Sequence, residues 1–444
     1  MSRSIKIEGP GSIKGAASVP GDKSISHRVA MLASAASGAS TVRGFATSAD
    51  CLATLDCVQR LGVRVDRRAN AVTIHGVGLN GYRPPQARVS LYAANSGSTI
   101  RMLSGLLAAQ SFTSVIDGDA SLRRRPMSRI IEPLTAMGAR IGAREGRFAP
   151  LVIEGGRLKP IEHASNVASA QVKTCILLAG LYADGRTLFT EPAPSRNHTE
   201  LMLKEFGARV ECRPAPSNSI IIEGGHELTP VDYQVPGDMS SAAFLVAATA
   251  MLPDSAIVIR DVSLNPTRRA FLDILNALGA SVEERNVSVR HAEPVGDLHV
   301  ASVRLKTGGP AMTLAGEIIP NIIDEIPILA VVGTQVDGRI EVRQAGELRI
   351  KESDRIRTIV DGVRALGGVI EEFEDGFAVE GPQRLKGGRV ETENDHRIAM
   401  AFSIAGLAAE GATEILDADC AAVSFPEFYD LLNALSGGNH ITRP

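Results

Sequence analysis

The sequence predicts an α/β (α+β) protein with two similar domains. Each would contain three β-α-β-α-β-β repeat units around buried helices, and a two-strand hinge would join the domains. One observation behind this prediction is that helical segments end at a glycine next to a small residue five times, roughly 70 to 90 residues apart. A second is that six other helical segments are apolar and rich in alanine, and each leads into a β-rich segment. The same order of elements therefore recurs along the whole chain.

Each predicted element has a local signal. The apolar helices begin at polar or small residues that suit an N-cap, near Gly21, Asn95, Ser169, Gly237, Asn321 and Asn394. The strands that follow them read TVRGFA, SVIDGD, RTLFTEP, AIVIRDV, RIEVRQAG and TEILDAD. The second helix of each unit is amphipathic, and five of these helices end at Gly62, Gly138, Gly207, Gly279 and Gly367, where glycine permits a left-handed C-cap.

The sixth repeat lacks a strand pair after its last helix, which ends near Ser436. Residues 5–24 resemble residues 220–240, so we expect the N-terminal strands to close this repeat. The domains would then comprise residues 1–20 with 236–444, and residues 21–235. Two chain crossings near Pro20 and Pro236 would form a hinge, and we expect an active site in the cleft between domains that close on a ligand.

The amino-acid composition excludes several classes of protein. The 444 residues carry a formal net charge of −3, with 44% hydrophobic and 22% charged residues, which excludes a disordered chain and a generally basic nucleic-acid binder. Tryptophan is absent and aromatics make up only 4%, which disfavours a stacking platform for single-stranded nucleic acid. Five cysteines without a Cys-x-x-Cys pair indicate a reducing cytoplasm. With no signal-peptide core and no membrane-length apolar run, we expect a cytoplasmic protein without membrane or nucleic-acid partners.

Polar and charged residues cluster at the helix starts and before the second helices. A helix N-terminus attracts anions, because its backbone N–H groups are unsatisfied and its dipole is positive there. The clusters are residues 21–28, 95–101, 123–126, 169–173 with Arg196, 324–325, 347–355 and 394–397. Any one of them is equally typical of a capped helix or a solvated charge run. Together they indicate a site for a substrate with phosphates and carboxylates, although residues 238–240 of the fourth repeat include no cation.

Three of these clusters allow finer predictions. Asp324 lies in an apolar segment. Burial there would raise the pKa of its carboxyl and nearby cations would lower it, and enzymes adjust the pKa of a catalytic base by these two effects. If residues 351–355 are helical, Lys351 and Arg355 lie one turn apart. Pro126 suits the first turn of a helix and would place Arg125 at the mouth of that helix.

The segments PGDKSISHR, NSGSTIR, LRRRPM, SAQVK, DEIPILA, ELRIKESDR and NDHRIAM occur in this order from Pro20 to Met400. In this order they resemble the 5-enolpyruvylshikimate-3-phosphate (EPSP) synthase family of enolpyruvyl transferases. The resemblance implies two domains of three β-α-β-α-β-β units. It also implies a transferase of the shikimate pathway of aromatic amino acid biosynthesis. Such an enzyme moves the enolpyruvyl group of phosphoenolpyruvate to the 5-hydroxyl of shikimate 3-phosphate by addition and elimination through a tetrahedral intermediate, and releases phosphate. No metal or organic cofactor is implied, and we expect a monomer.

The resemblance also implies roles for individual residues. Those implied for shikimate 3-phosphate are Lys23, Ser24, Arg28, Ser169, Gln171, Arg196, Asp324 and Lys351. Those implied for phosphoenolpyruvate are Lys23, Gly97, Arg125, Gln171, Arg355, His396 and Arg397, although His396 is equally typical of a structural histidine. The catalytic residues would be Asp324, Glu352, Lys351 and Lys23. Asp324 would accept the hydroxyl proton, whereas the division of the other proton transfers between Glu352 and Lys351 stays open.

The chain departs from the family pattern at Val423, where many members have a lysine before a Ser/Thr-Phe-Pro sequence. This departure puts one phosphate contact in doubt. Gly97 is the position where an added methyl is associated with resistance to glyphosate, so we expect a glyphosate target that is sensitive. One alternative is the sister transferase acting on UDP-N-acetylglucosamine. Its usual marks are Lys-Asn in place of Lys23-Ser24 and a reactive loop cysteine that is absent beside Arg125. The other is a non-catalytic anion-binding repeat protein, which would have no reason to keep Asp324 beside cations.

Overall fold

A computed structural model describes residues 4–443 of the protein, so residues 1–3 and 444 lie outside the described residues. The chain divides into two compact units. Unit I comprises Met1–Pro20, Pro236–Val289 and Glu293–Pro444, and unit II comprises Gly21–Val235 with Arg290–Ala292. The described strands lie in six four-stranded sheets. No helix within residues 4–443 is both long and apolar enough to cross a membrane.

The chain begins in unit I with β1 (Ile5–Gly9) and β2 (Lys14–Ser18). It then enters unit II, which contains α1 (Lys23–Ala35), β3 (Ser37–Arg43), α2 (Ala49–Arg60), β4 (Arg64–Arg68), β5 (Ala71–Val77), β6 (Arg88–Tyr92), α3 (Gly97–Leu107), β7 (Thr113–Asp117), α4 (Ser128–Met137), β8 (Arg140–Arg144), β9 (Phe148–Glu154), β10 (Glu162–Ala164), α5 (Ala170–Gly180), β11 (Arg186–Thr190), α6 (His198–Glu205), β12 (Arg209–Arg213), β13 (Ser219–Glu223) and β14 (Tyr233–Gln234).

The remaining elements belong to unit I, apart from the turn that joins β16 to β17. They are α7 (Met239–Met251), β15 (Ala256–Ser263), α8 (Ala270–Ala277), β16 (Ser281–Arg290), β17 (Glu293–Ala301), β18 (Lys306–Leu314), α9 (Ile319–Ile322), α10 (Ile326–Gly333), β19 (Asp337–Val342), α11 (Arg355–Ala365), β20 (Ile370–Phe373), β21 (Gly376–Gly381), β22 (Arg389–Val390), α12 (His396–Ala408), β23 (Gly411–Ile415), α13 (Phe428–Leu435) and β24 (Ile441–Thr442).

The predicted β-α-β-α-β-β repeat is confirmed, and every sheet has the same strand order. The sheets of unit II are β14-β3-β5-β4, β6-β7-β9-β8 and β10-β11-β13-β12. Those of unit I are β2-β15-β17-β16, β18-β19-β21-β20 and β22-β23-β1-β24. In β6-β7-β9-β8, for example, β6 and β7 are parallel, whereas β9 is antiparallel to both β7 and β8. The apolar helix α3 connects the parallel pair, as parallel strands require a crossover.

The N-terminal segment behaves differently from the sequence prediction. Strand β1 pairs with β23 and closes the sixth sheet, as expected. Strand β2 instead pairs in parallel with β15 in the fourth sheet. The last strand of the sixth sheet is β24, which follows the final helix and pairs with β1. The sixth repeat is therefore closed by one strand from each end of the chain.

Six helices are buried over almost their whole length, namely α1, α3 and α5 in unit II and α7, α10 and α12 in unit I. They are buried on all faces because each lies inside the core of its own unit. The five predicted helix-ending glycines all adopt a positive φ, between 73° at Gly367 and 111° at Gly138. This is the conformation in which glycine avoids the steric penalty of a Cβ atom.

Two local predictions were wrong, and the condition of a third is not met. The helix expected from Asn321 is broken, because α9 ends at Ile322 and α10 begins only at Ile326. Lys351 and Glu352 lie in a loop, and α11 begins at Arg355, so no helical turn joins Lys351 to Arg355. Pro126 precedes its helix, since α4 begins at Ser128.

Candidate functional site

The first polar cluster of unit II surrounds the N-terminus of α1. Asp22 caps the helix by accepting a hydrogen bond from the Ile25 N–H at 2.9 Å. Lys23 forms an ion pair with the buried Asp50. The guanidinium of Arg196 donates to the Ser24 hydroxyl at 3.3 Å. These contacts bring two of the predicted cations to the start of one buried helix.

Arg28 lies one turn further along α1 and is buried. Its Nε donates to the Thr199 hydroxyl at 2.7 Å, and an NH₂ group donates to the Thr174 hydroxyl at 3.1 Å. The other NH₂ group donates to the carbonyl of Ser24 at 2.8 Å. Helices α1, α5 and α6 therefore each supply one of the three groups that accept these hydrogen bonds from the guanidinium of Arg28.

A second cluster of unit II lies between α3 and α5. Gln171 accepts from Arg101 at 2.8 Å and donates to Ser98 at 3.0 Å. Arg125 donates to the Asn95 side chain at 2.8 Å. Ser169 caps α5 through its hydroxyl, which accepts from the Val172 N–H at 3.4 Å.

Gly97, the first residue of α3, lies within this second cluster. A Cβ atom at this position would lie 2.9 Å from a terminal nitrogen of Arg101 and 3.3 Å from one of Arg125. Two guanidinium groups therefore approach the helix start closely, because no side chain separates them from the backbone. Arg101 ends the NSGSTIR segment, but the resemblance implied no role for it. Its spacing of four residues from Gly97 places it one helical turn away, and this was the available signal.

In unit I, Arg355 is the centre of a carboxylate cluster and is 1% exposed. Its guanidinium lies 2.8 Å from Asp395 and 2.5 Å from Glu352, and a terminal nitrogen lies 3.5 Å from Asp324. Burial opposes the positive charge, but the carboxylates outweigh it and raise the pKa of Arg355 above its ordinary value. Burial likewise opposes ionisation of Asp395, but Arg355 outweighs it and lowers the pKa of that carboxyl. The resemblance implied no role for Asp395.

The broken helix exposes Asp324 between two arginines. Its carboxylate oxygen lies 3.5 Å from Arg355 and 3.3 Å from Arg397, and its carbonyl accepts from Arg397 at 3.1 Å. Its side chain keeps 17% of its surface accessible, in contrast to the fully enclosed carboxylate of Asp395. Asp324 is therefore held at a fixed position and still reachable by a ligand.

The other predicted residues of unit I lie close to this cluster in sequence and structure. Lys351 is partly enclosed, and burial lowers the pKa of its amine below the ordinary value, against the opposing charge of Asp324. His396 is the buried first residue of α12. Val423 ends a short 3₁₀ turn before the buried Phe425 and brings no charge to the loop.

The predicted residues thus fall into two sets, each described within its own unit. Unit II contains Lys23, Ser24, Arg28, Gly97, Arg125, Ser169, Gln171 and Arg196. Unit I contains Asp324, Lys351, Glu352, Arg355, His396 and Arg397. The set in unit II is cationic and polar, which suits anions, whereas the set in unit I adds carboxylates and a lysine that can move protons.

The fold is that of the enolpyruvyl transferases. The structure matches a crystal structure of the enolpyruvyl transferase NikO from Streptomyces tendae with a TM-score of 0.77 over 100% of this chain and 99% of that chain, at 16% identity. It also matches an EPSP synthase structure from Acinetobacter baumannii, with a TM-score of 0.87 at 40% identity and complete coverage of both chains.

The family model for EPSP synthase (3-phosphoshikimate 1-carboxyvinyltransferase) matches residues 7–432. The 3-phosphoshikimate 1-carboxyvinyltransferase of Salinibacter ruber is 48% identical over 435 residues, covering 97% of this chain and 99% of the relative. That of Bacillus subtilis is 45% identical over 388 residues, covering 87% and 89%. The chain belongs to the EPSP synthase family, which confirms the resemblance and makes the protein a transferase of the shikimate pathway.

Proposed function

We propose that the protein transfers the enolpyruvyl group of phosphoenolpyruvate to the 5-hydroxyl of shikimate 3-phosphate and releases phosphate. The observation that carries the proposal is the accessible carboxylate of Asp324, fixed between Arg355 and Arg397 in a chain of this family. A carboxylate suits proton removal from a hydroxyl, while neighbouring guanidiniums suit the anionic groups of the substrates.

In this proposal the cluster of unit II around α1 and α5 binds shikimate 3-phosphate. Arg28 and Arg196 would take its phosphate or carboxylate, because a guanidinium pairs with either group through two parallel hydrogen bonds. Lys23, Ser24, Ser169 and Gln171 would supply the remaining donors, and Asp324 and Lys351 would meet the reacting hydroxyl. The support is that Arg196 already contacts Ser24, and that Thr174 and Thr199 fix the plane of Arg28.

Phosphoenolpyruvate would be bound by Lys23, Gly97, Arg125, Gln171, Arg355, His396 and Arg397. The absence of a side chain at Gly97 leaves room for an anion beside the backbone of the α3 start. Several cations suit this ligand, since it carries both a phosphate and a carboxylate. Residues of both units are assigned to one reaction, so we expect neither unit alone to be active.

The chemistry begins as Asp324 removes the proton from the 5-hydroxyl and the oxygen attacks the substituted carbon of the enol. A proton is added to the methylene carbon, which gives a tetrahedral intermediate with a methyl group. Loss of phosphate and removal of one methyl proton then restore the double bond. Lys351 suits one of these transfers, because its lowered pKa increases the neutral fraction of its amine near neutral pH. Glu352, beside Arg355, is the second candidate.

We further propose a monomer that works in the cytoplasm without a metal or organic cofactor. Support for the compartment comes from the five cysteines, which are all free thiols within the described residues. Nothing in the proposed chemistry needs an electron transfer or a Lewis acid, because each step is a proton transfer or an exchange at one carbon.

The test is phosphate release from phosphoenolpyruvate, measured with shikimate 3-phosphate or UDP-N-acetylglucosamine as acceptor, with a chelator present. Release with the shikimate ester alone is the expected result. Release with the nucleotide sugar alone would overturn the acceptor assignment. A folded protein that releases phosphate with neither acceptor would overturn the activity, and inhibition by the chelator would overturn the cofactor proposal.

A further inference from the structure

Helix α5 contains one buried lysine to which no role has been given. The side chain of Lys173 is 1% exposed, and its Nζ lies 2.9 Å from Glu191 and 2.8 Å from Glu200. Both carboxylates are also buried, with 3% and 6% of their side-chain surfaces exposed. Removing such charges from water is costly, so an ion cluster adds little stability over apolar packing. The position of this ion cluster relative to the binding residues indicates a role other than stability.

The cluster fixes the loop that precedes α6. Glu191 accepts two hydrogen bonds from Ser195, one from its N–H at 3.0 Å and one from its hydroxyl at 2.6 Å. Lys173 donates to the carbonyl of Ser195 at 3.3 Å. All three polar groups of Ser195 are therefore used by the ion cluster. The next residue is Arg196, whose side chain reaches Ser24.

The same cluster determines the spacing of α5 and α6. Lys173 and Glu200 join the two helices, and their neighbours Thr174 and Thr199 contact each other at 2.5 Å. These two threonine hydroxyls accept the hydrogen bonds of Arg28. A change in the separation of the helices would therefore rotate or release the guanidinium of Arg28.

We propose that Lys173 is a positioning residue for the phosphorylated acceptor. It acts through Glu191 and Ser195 on Arg196, and through Glu200 on the threonines that hold Arg28. This inference rests on the proposed function, in which those two arginines bind shikimate 3-phosphate. Lys173 itself does not touch a substrate, because it is enclosed by its own carboxylates.

The first experiment is K173M, which keeps the length of the side chain and removes its charge. We expect the KM for shikimate 3-phosphate to rise about ten- to a hundredfold, as for the loss of a charge-assisted hydrogen bond. The KM for phosphoenolpyruvate at saturating acceptor and kcat should stay near the wild-type values. The matched control is K204M, the same exchange at an exposed lysine of α6, which should change none of the three. A folded K173M with an unchanged KM for the acceptor would overturn the proposal.

A double-mutant cycle separates positioning from general structure. In the R196A background, the contribution that Lys173 makes through Arg196 has already been lost. K173M should therefore weaken acceptor binding less there than in the wild type, as isothermal titration with shikimate 3-phosphate would measure. Equal losses in both backgrounds would show that Lys173 does not act through Arg196, and the proposal, which requires that path, would be wrong.

If K173M does not fold, S195A tests the same path without removing a charge. It deletes only the hydroxyl bond to Glu191, so we expect a several-fold rise in the KM for shikimate 3-phosphate with an unchanged KM for phosphoenolpyruvate. An S195A enzyme identical to wild type would overturn the proposal. The wild type reports on the proposed function independently: if it neither binds nor turns over shikimate 3-phosphate, the proposed function fails first.

Discussion

The exchange of Asp395 for asparagine tests whether the buried carboxylate cluster of unit I depends on charge. Asparagine has nearly the same shape, and it can still cap α12, where Asp395 now accepts from the Arg397 N–H at 2.9 Å. What it removes is the ion pair with Arg355, with contacts of 2.8 and 3.3 Å. Arg355 would then keep only Glu352 and Asp324 as anionic partners.

Removing one partner of a buried ion pair costs about 3 to 5 kcal/mol. Because Arg355 retains two carboxylates, we expect a loss of about 3 kcal/mol, near the lower end of that range. The measurement is urea unfolding of the full chain. Because the protein has two units, it need not unfold in a single step, so the transition of unit I is followed separately. The KM for phosphoenolpyruvate should also rise, because Arg355 loses the carboxylate that orients it.

The control is D361N, which changes the same residue type on the exposed face of α11. Asp361 pairs with Arg357 at 3.5 Å, and both side chains are more than half exposed, so we expect a change of only about 0 to 1 kcal/mol. If D395N is no less stable than D361N, the reasoning from buried charge is refuted.

The stability difference should also depend on pH. Arg355 lowers the pKa of Asp395 below 3.8, so its ionised form contributes stability that is fully present above the unfolded pKa. This contribution is lost as the pH falls through the folded pKa. Wild type and D395N should therefore converge only in strong acid, below pH 3.8. Convergence already near neutral pH would contradict the assignment.

Four further predictions concern activity. D324A should fold normally and lose about 10²- to 10⁴-fold in kcat, the usual contribution of a general base, and a near-normal rate would refute that role. G97A should raise the KM for phosphoenolpyruvate and weaken inhibition by glyphosate, since its Cβ would lie 2.9 Å from Arg101; equal inhibition of both proteins would contradict this. C175S should leave kcat unchanged, because the thiol is buried and burial raises its pKa, and a large loss would reveal a missed nucleophile. The pH profile of kcat should show the titration of a basic group whose pKa lies below that of an ordinary lysine. K351A should remove this titration from the profile.

The secondary structure was largely predictable because its signals are local. An N-cap such as Ser96 or Asp22 accepts a hydrogen bond from a backbone N–H three residues away. A glycine at a helix C-terminus, such as Gly138, is required by the positive φ of that one residue. The apolar faces of the central helices follow from composition alone. The same reasoning failed at the break between α9 and α10, where apolar sequence continues on both sides of Asp324 and Glu325.

The candidate site was predictable as a set of residues through its motifs, but its connections were not. Arg355 and Asp395 belong to separate motifs and lie forty positions apart. No local sequence signal indicated that the two side chains would form an ion pair. Lys173 and Glu191 likewise lie 18 residues apart and meet only because α5 and the loop before α6 pack together. A side chain's partner depends on tertiary packing, so its pKa and orientation do too.

By itself, then, the sequence determined the repeat, the ends of most helices, the family and the residues that carry charge. Each of these depends on a few neighbouring residues or on a motif. Only the tertiary structure decided that β2 joins β15 in the fourth sheet and that Lys173 donates to the carbonyl of Ser195, the residue before Arg196. Strand pairing and buried ion clusters join distant segments, and many pairings are compatible with one local pattern until the core is packed.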